Sequence, residues 1–486
     1  MKIWIKRIVK AVSFLLIFAI VFSACQFVLH YRWAGDEDIY TRNTDFERQP
    51  ENSLDVLYFG TSEIYAGVSP IITYASEGIT GYNFAVSYKS AITAYYQLLY
   101  ALKHQTPKIV VCDFDSLFED ELPSQDNEAL YRKIYETMPD KTIRRQLLSD
   151  ILRYDRSQDY LSWRFPLLRY HSIWSDLKKE NFEPDDQIDP DYKSYEKGAL
   201  LNSKAFIGEG YDVTPDLWRS EGKDLKLSDV SVTFYDRFIE ACKEKGIKVV
   251  AVITPKIAHA ARITNRWPLM KEYLDSRGVD YLLYNSFEQV ERMQLSFEEH
   301  YYDTGHLNTI GALVFSETLA ADLKERYGLA SRKEDPTVAA EWDAAYSLFV
   351  KELPAQQPNL EMCLSLIRAL GLDAMIYVND TEAVGYQKYS EPLERRGIDH
   401  TKLENQGIVL IRQDGSSGEF ASEAENRVPG IGHVKIVSGD GISVLINGEE
   451  QSVLRPSTGA SLELCVFALE NDSIVSTVKF EKTVNE

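Results

Sequence analysis

Apolar and polar positions divide the chain into three zones, of which the first is a single apolar run over 11–29. A helix over that run is about long enough to cross the hydrocarbon core of a membrane. Four lysines and arginines lie within 1–10, and cations on that side predict a cytoplasmic N-terminus with everything after residue 30 outside. The sequence therefore predicts a transmembrane anchor, followed by a polar juxtamembrane spacer over 30–50.

Two other fates of this N-terminus stay open at the level of sequence. A cleaved signal peptide has a similar composition, and Phe22-Ser23-Ala24-Cys25 is similar to a lipoprotein processing site, with Phe22 where leucine is usual. The uncleaved anchor is favoured because apolar residues continue past Cys25. Under all three fates the rest of the chain works outside the cytoplasmic membrane, which suits a bacterial envelope protein.

The second zone, 51–330, alternates short apolar runs with segments of helical periodicity. The runs predicted to be strands are 54–59, 82–87, 108–114, 248–253 and 279–284, and the predicted helices include 90–103, 228–245, 267–277 and 310–327. Such alternation is typical of βαβ units. It predicts an α/β fold in three layers, with a doubly wound parallel sheet between two layers of helices.

The third zone follows a charged, proline-containing stretch over 331–358, which is predicted to be a linker with a helix over 337–352. Beyond it, short apolar runs alternate with turn sequences such as Asn447-Gly448. The predicted strands are 373–380, 407–412, 442–448, 462–467 and 474–480, with a helix around 393–397. We therefore expect a smaller, β-rich α/β domain over 359–486.

Composition and charge exclude several classes of function. At 486 residues the chain is too long for one ordinary core, so two or three domains are expected. The net charge of −21 leaves no basic surface to neutralise phosphates, which argues against nucleic acid as a partner. Five scattered cysteines form no Cys-x-x-Cys or Cys/His cluster, so neither a structural zinc nor a disulfide framework is indicated. We expect no metal and no cofactor.

Two short motifs carry candidate chemistry. Gly60-Thr61-Ser62 ends the first apolar strand of the second zone, and Asp303-x-x-His306 precedes its last predicted helix. Taken singly, a serine after a strand is usually a helix cap, and Asp-x-x-His is usually an exposed turn. Together they predict a catalytic triad in which Ser62 is the nucleophile, His306 the base and Asp303 the carboxylate that orients the imidazole.

That order of motifs resembles the SGNH (GDSL-like) hydrolase superfamily, in which a serine follows the first strand and Asp-x-x-His precedes the last helix. The resemblance implies an oxyanion hole made with a glycine N–H and an asparagine side chain. The usual Gly-x-Asn-Asp block is absent here, and Asn83 is the best candidate donor, with a turn-forming asparagine as the alternative. Asp113 and Asp115 could line the same pocket or cap the next helix.

A long insert over 119–227 interrupts the α/β pattern. Its stretch 163–174 is dense in aromatic and cationic residues, and an acidic run follows over 180–191. Inserts over the carboxyl edge of a sheet commonly shape substrate pockets, and aromatic faces suit sugar rings. Arg169 and His171 are therefore candidates for substrate contact. The alternative is a small helical subdomain held together by its own aromatics.

The anchor, the Gly-Thr-Ser-Glu form of the serine motif, the large insert and Tyr302-Asp303-x-x-His306-Leu307-Asn308 resemble the D-alanyl transfer protein of teichoic-acid modification and related acetyltransferases of exported polysaccharides. This resemblance covers roughly 51–330. It implies a membrane-anchored, extracytoplasmic serine acyltransferase or esterase that adds or removes acetyl or D-alanyl groups on a surface polysaccharide or teichoic acid. Such proteins often work beside a multi-spanning membrane O-acyltransferase.

The domain over 359–486 resembles the interleukin-like EMT inducer domain. The matching stretches are 375–380, 393–397, 446–448 and 478–480, in an order that looks permuted. Some members bind carbohydrate, which implies a tether to a sugar polymer; a packing or oligomerisation module is the alternative. For the whole chain, the hypothesis that competes with an enzyme is a non-catalytic glycan-binding scaffold for an O-acyltransferase system, and a domain that only accepts acyl groups is a third.

Overall fold

The structure is a computed structural model that describes residues 2–31, 33, 37–118, 128–183, 192–205, 213–220, 222, 224–380, 382–403, 407–421, 426–428, 431–438 and 441–483. The predicted apolar helix is present as α1, Lys2–Val28. Its stretch Ile3–Val28 is long and apolar enough to cross a membrane, and its side chains are exposed.

The stretch 30–50, expected to be a spacer, contributes a packed helix instead. Helix α2 (Ile39–Arg48) has six buried residues. Phe46 makes edge-on ring contacts with Tyr82 and Phe84, and the Arg42 guanidinium donates to the backbone carbonyls of Asn83 and Ala85. The polar residues that suggested a spacer bind the backbone of the α/β domain, so this segment is part of that domain.

The second zone folds as the predicted α/β domain around a five-stranded, wholly parallel sheet. The strands are β1 Val56–Phe59, β2 Gly81–Asn83, β3 Ile109–Cys112, β4 Lys248–Ile253 and β5 Asp280–Leu283. The helices are α3 Ser62–Gly67, α4 Pro70–Glu77, α5 Ala91–Ala101, α6 Glu128–Thr137, α7 Lys141–Tyr154, α8 Tyr160–Arg164, α9 Pro166–Tyr170, α10 Asp229–Glu244, α11 Ala260–Arg277, α12 Phe287–Met293, α13 Phe297–His300 and α14 Thr309–Tyr327.

Burial on both faces explains why these strands read as continuous apolar runs. In β1, Leu57 and Phe59 point into one core with α5 and α10, while Val56 and Tyr58 point into a second core with α14. The strand order is β2-β1-β3-β4-β5. β2 lies on one side of β1, whereas β3, β4 and β5 follow in order on its other side. Because the strand order reverses between β1 and β3, a crevice forms at the carboxyl ends of these two strands.

The insert leaves and rejoins the domain at one point. Phe118 and Leu227 form an antiparallel bridge, and the Ser228 N–H donates to the Leu117 carbonyl at 2.9 Å. Within the described part of the insert, Ile134 of α6 and Leu147 of α7 lie in the same core as α5. These two helices therefore thicken one helical layer of the sheet.

The stretch 331–358, expected to be a linker, is packed as well. Helix α15 (Pro336–Glu352) matches the helix predicted there, and its Trp342 and Phe349 are fully buried against the α/β core. Just before this helix, the Arg332 guanidinium forms a salt bridge of 3.0 Å with the buried Asp55 carboxylate. A charged, proline-containing sequence here encodes a helix whose residues pack in the cores of both domains.

Among its described residues, the third zone has two α-helices and two antiparallel sheets. Its helices are α16 Leu360–Ala369 and α17 Gln387–Glu394, and its strands are β6 Asp373–Val378, β7 Gly407–Ile411, β8 Ser417–Ala421, β9 Asn426–Val428, β10 Gly432–Ser438, β11 Ile442–Ile446, β12 Glu449–Leu454, β13 Ala460–Glu470 and β14 Ser473–Thr483. The sheets have the orders β14-β13-β6-β7-β8 and β12-β11-β10-β9. The helices cover one face of the first sheet and the second sheet covers the other, so the smaller domain is β-rich, as predicted.

Candidate active site

Ser62 is the first residue of α3, directly after β1 and its glycine. Gly60 has φ +147°, and a Cβ there would lie 2.5 Å from Asp113 Oδ2. The missing side chain lets Asp113 accept a hydrogen bond from the Thr61 N–H at 2.6 Å, with the Thr61 hydroxyl oxygen 2.7 Å from the same carboxylate oxygen. Asp113 therefore fixes the turn that presents Ser62 at the carboxyl edge of the sheet.

The structure brings the three predicted catalytic side chains together. The Ser62 hydroxyl lies 2.6 Å from His306 Nε2, and both Asp303 carboxylate oxygens lie 2.9 Å from His306 Nδ1. With Nδ1–H donating to Asp303, Nε2 is left to accept the Ser62 proton. This is the arrangement that makes a serine hydroxyl nucleophilic.

The local chain holds Asp303 and His306 in place. Asp303 Oδ1 also accepts from the backbone N–H groups of Gly305 and His306, at 2.8 and 2.9 Å. Tyr302 stacks on the imidazole with ring centroids 5.4 Å apart. Immediately after the turn, Asn308 caps α14 by accepting from the Gly311 N–H. With the spacing Asp-x-x-His, the turn is closed by backbone hydrogen bonds to the Asp303 carboxylate, and the imidazole of His306 points toward Ser62.

A buried charge cluster lies beneath the serine turn. Lys256, which follows β4, has a side chain 1% exposed and pairs with Glu63 at 3.0 Å and with Asp115. Burial alone would raise the pKa of Glu63, but the Lys256 ammonium and the Thr61 hydroxyl outweigh it and lower that pKa to about 2. Burial, with the Asp115 carboxylate nearby, raises the pKa of Asp113 to about 7.

Carboxylate oxygens of Glu63, Asp113 and Asp115 lie within 4.8 Å of one another, a spacing that could hold a metal ion. The protein supplies its own cation there, because the Lys256 ammonium contacts Glu63 and Asp115. A fixed ammonium neutralises two buried carboxylates as a metal ion would. The cluster therefore fits a structural role under the serine turn better than a metal centre.

Lys89 is a second buried cation at this edge. Its Nζ donates to the Phe84 carbonyl at 2.8 Å and lies 4.8 Å from the centre of the Phe59 ring. Burial lowers the pKa of its ammonium to about 7. Lys89 also lines the cavity beside Ser62, so a cation or a neutral amine faces that cavity according to pH.

The cavity beside the triad measures about 170 Å³, enough for a small acyl group. It is lined by Thr61, Ser62, Glu63, Tyr88, Lys89, Asp115, Ser116, His259, Arg262, Gly305 and His306. Lys89, His259 and Arg262 contribute nitrogen-bearing side chains to one part of its wall. The arrangement can bind a polar ester next to Ser62.

Asn83 is not placed to donate into this cavity, contrary to its expected role in an oxyanion hole. Its side-chain N–H groups donate to the carbonyls of Ile64 and Val68, both at 3.0 Å, and its oxygen accepts from the Ala85 N–H. Asn83 is fully buried. It links β2 to α3 and uses both amide hydrogens in doing so.

Arg169 and His171 lie away from the cavity as well. Arg169 pairs with Glu128 at 3.2 Å, and His171 Nδ1 lies 3.3 Å from the Leu168 carbonyl. Both are exposed, in a part of the insert that packs against α1. Neither lines the cavity beside Ser62, so the expectation that they contact substrate there is not supported by their positions.

Sequence reasoning considered Asp113 and Asp115 but missed Lys256, Glu63 and Lys89. The signal available was position: Lys256 follows the fourth strand and Lys89 follows the second, so both fall at the carboxyl edge. Nothing in their local sequence indicates burial, because both stand among residues that also suit exposed loops.

Three comparisons with known proteins complete the description. No family model, no curated protein and no solved structure matches the chain.

Proposed function

We propose that this chain is a serine acyltransferase or esterase that works through an acyl-enzyme at Ser62. The observation that carries the proposal is the contact of Ser62 with His306 at 2.6 Å and of His306 with Asp303 at 2.9 Å. The serine lies far from the other two residues in sequence. Three such groups in hydrogen-bond order, beside a cavity, are the requirement for nucleophilic acyl transfer.

The steps follow from the geometry. Ser62 Oγ attacks an acyl carbonyl while His306 Nε2 takes its proton, and the Asp303 carboxylate stabilises the imidazolium. His306 then returns the proton to the leaving group, which departs and leaves the acyl group on Ser62. A water molecule or a sugar hydroxyl then gives a proton to His306 and attacks the acyl-enzyme. The bond between the acyl carbon and Ser62 Oγ breaks, Ser62 takes the proton back from His306, and the outcome is hydrolysis or transfer.

Charge on the carbonyl oxygen needs donors other than Asn83. The N–H of Ser62 stands at the first position of α3, where helix geometry provides no internal acceptor. Lys89 adds an ammonium to the same cavity when it is protonated. We assign the backbone N–H of Ser62 and the Lys89 side chain as stabilisers of the oxyanion.

The proposal also includes a family for the α/β domain and a class of substrate. The strand order, the serine directly after β1 and the Asp303/His306 pair before α14 support an SGNH-type domain of the D-alanyl transfer branch. A single-pass anchor with the domain outside the cytoplasm, and a separate β-rich domain of the interleukin-like EMT inducer type, suit a cell-envelope polysaccharide or teichoic acid. A membrane O-acyltransferase would be the partner that supplies acyl groups.

Labelling with a fluorophosphonate tests the acyl chemistry directly. We expect covalent labelling of the full chain at Ser62, its loss in Ser62→Ala, and its retention in Ser116→Ala. Ser116 is the matched control because it lines the same cavity while its hydroxyl bonds to the Tyr235 hydroxyl at 2.7 Å. An unlabelled Ser62 would support the glycan-binding scaffold. Labelling without turnover of any ester would support a domain that only accepts acyl groups.

A further inference from the structure

The aromatic and cationic part of the insert, 160–182, lies along the C-terminal end of α1; we call it the interfacial segment. Phe165 packs edge-on against Phe22 with ring centroids 5.6 Å apart. The Leu167 N–H donates to Gln26 Oε1 at 2.5 Å, and Asn181 Nδ2 donates to the Val28 carbonyl at 3.4 Å. The segment is therefore held against the last two turns of α1.

These contacts set the depth of the segment relative to a membrane that α1 crosses. Phe22 precedes the end of α1 at Val28 by roughly 9 Å, at a rise of about 1.5 Å per residue. Helices that lie in a membrane interface bury their apolar side chains about 5–10 Å into the boundary between headgroups and acyl chains. Phe165 is thus at the depth where an interfacial segment sits.

The interfacial segment has more exposed apolar side chains than is usual for a surface that faces water. Beyond α1, half of the large apolar side chains that are exposed among the described residues belong to it. They are Tyr160, Leu161, Leu168, Trp174, Leu177 and Phe182. Trp174 is 68% exposed. A concentration of this kind marks an interaction surface, and tryptophan and tyrosine are the residues enriched at the level of lipid headgroups.

Its cations suit headgroups without requiring anionic lipid. Within 160–182 the chain has Arg164, Arg169, Lys178 and Lys179 against two acidic residues, although the whole chain has a net charge of −21. Arg169 and Lys179 are already paired, with Glu128 and Glu183. The attraction to a bilayer should therefore come mainly from burial of apolar surface.

The segment is also tied to the α/β domain, so it can position that domain. The buried Arg132 of α6 lies 4.2 Å from the centre of the Trp163 ring and donates to the Ser162 hydroxyl. The Tyr170 hydroxyl donates to Glu136, which also accepts from Trp33 after α1. Anchor, segment and α/β domain are connected by hydrogen bonds and ring contacts.

We propose that the interfacial segment is a lipid-binding surface that inserts Leu168, Trp174 and Phe182 into the non-cytoplasmic leaflet around α1. Lipid is the occupant because the surface continues that of α1, whose side chains are themselves exposed for contact with acyl chains. Insertion fixes the orientation of the α/β domain against the bilayer. The inference rests on the proposed anchor and does not depend on acyl chemistry at Ser62.

Site-directed spin labelling of the full chain in vesicles tests this surface. With Cys25→Ser as background, since the other four cysteines are buried, nitroxides are attached at Phe14→Cys, Trp174→Cys and Tyr386→Cys. Phe14 reports the anchor, and Tyr386 is a matched exposed aromatic in the smaller domain. Accessibility to oxygen and to a water-soluble nickel chelate is then compared.

In vesicles of pure phosphatidylcholine, we expect the label at 174 to be several-fold more accessible to oxygen than to the chelate, as at 14, and the reverse at 386. Water-like accessibility at 174 with a lipid signature at 14 would overturn the lipid surface while leaving the anchor intact. Protection at 174 only in native membranes would assign the surface to a protein partner and overturn the proposal. A signature that needs phosphatidylglycerol would overturn apolar insertion as its cause. A water-like label at 14 would overturn the anchor, and with it this inference.

Discussion

Buried carboxylates have different cationic partners at the carboxyl edge of the parallel sheet and in the smaller domain. At the edge, the cation itself is buried: Lys256 is 1% exposed between Glu63 and Asp115. In the smaller domain the buried Glu463 pairs with Lys388, whose side chain is 53% exposed, and also accepts from the Tyr389 hydroxyl. The space between its two sheets is lined by apolar residues.

The difference follows from sheet architecture. In a parallel sheet with helices on both faces, polar side chains lie mainly at the ends of the strands. The carboxyl ends of the strands all lie at one edge of the sheet, so polar side chains there come close together. Charges placed there are desolvated together, so each needs a partner and their pKa values shift. An antiparallel sandwich can place its charges singly at the rim. Reactive chemistry is therefore expected at the first region and packing or binding at the second.

The largest effect should come from the triad. Ser62→Ala or His306→Ala in the full chain is expected to lower release of acetate from an activated aryl acetate by three or more orders of magnitude, because nucleophile and base act as one unit. The double variant should lose little more than either single one. Additive losses would contradict a shared mechanism, and Ser116→Ala is the control that should keep its activity.

A pair of lysine substitutions tests the contrast in buried charge. Lys256→Met leaves Glu63 and Asp115 buried without their cation, and we expect a loss of about 3–5 kcal/mol in the free energy of unfolding. Lys388→Met removes an exposed partner and should cost about 1 kcal/mol or less. Thermal unfolding in detergent measures both. Equal costs would remove the distinction between the two regions.

Phe467→Ala tests whether catalysis at Ser62 is independent of the stability of the smaller domain. Phe467 is fully buried between the two antiparallel sheets, and its truncation is expected to cost about 3–5 kcal/mol in that domain. Below the unfolding temperature, kcat/KM for the aryl acetate should stay at the wild-type value. A large fall in kcat/KM while the chain remains folded would show that the two regions are coupled.

The last effect depends on pH and concerns Lys89. Burial lowers the pKa of Lys89 to about 7 from an ordinary value of 10.5, so above pH 7 the unfolded chain binds a proton that the folded chain has lost. Stability from this group therefore rises between pH 7 and 10.5, by at most roughly 1.4 kcal/mol per pH unit. Lys89→Met should be more stabilising at pH 6 than at pH 9 relative to wild type. Melting temperatures that differ by the same amount at both pH values would contradict a shifted pKa.

Local pattern was enough for several elements and for the pairing of Ser62 with Asp303 and His306. Strands such as β4 and helices such as α14 have ends within a residue of the predicted ones, because period and end signals are local properties. Ser62, Asp303 and His306 could be paired because a serine after the first strand and Asp-x-x-His before the last helix meet at one edge of a parallel sheet. That meeting depends on topology alone.

Asn83, Arg169 and His171 show where local pattern failed. The amide of Asn83 could have faced the cavity or the carbonyls of Ile64 and Val68, and only the packing of α3 against β2 decides between them. The cationic, aromatic insert could have covered the sheet edge or the end of α1. Both options satisfy the same sequence, since an aromatic ring suits a sugar and a lipid interface equally.

By itself, the sequence determined the apolar N-terminal helix, the alternation that forms a parallel sheet, the β-rich third zone and the meeting of Ser62, Asp303 and His306, since all of these depend on periodicity and chain order. Only the tertiary structure decided that 30–50 and 331–358 are packed, that Lys256 and Lys89 are buried, and that the aromatic insert lies against α1. The physical reason is that burial of a polar residue depends on partners distant in sequence, which local pattern does not contain.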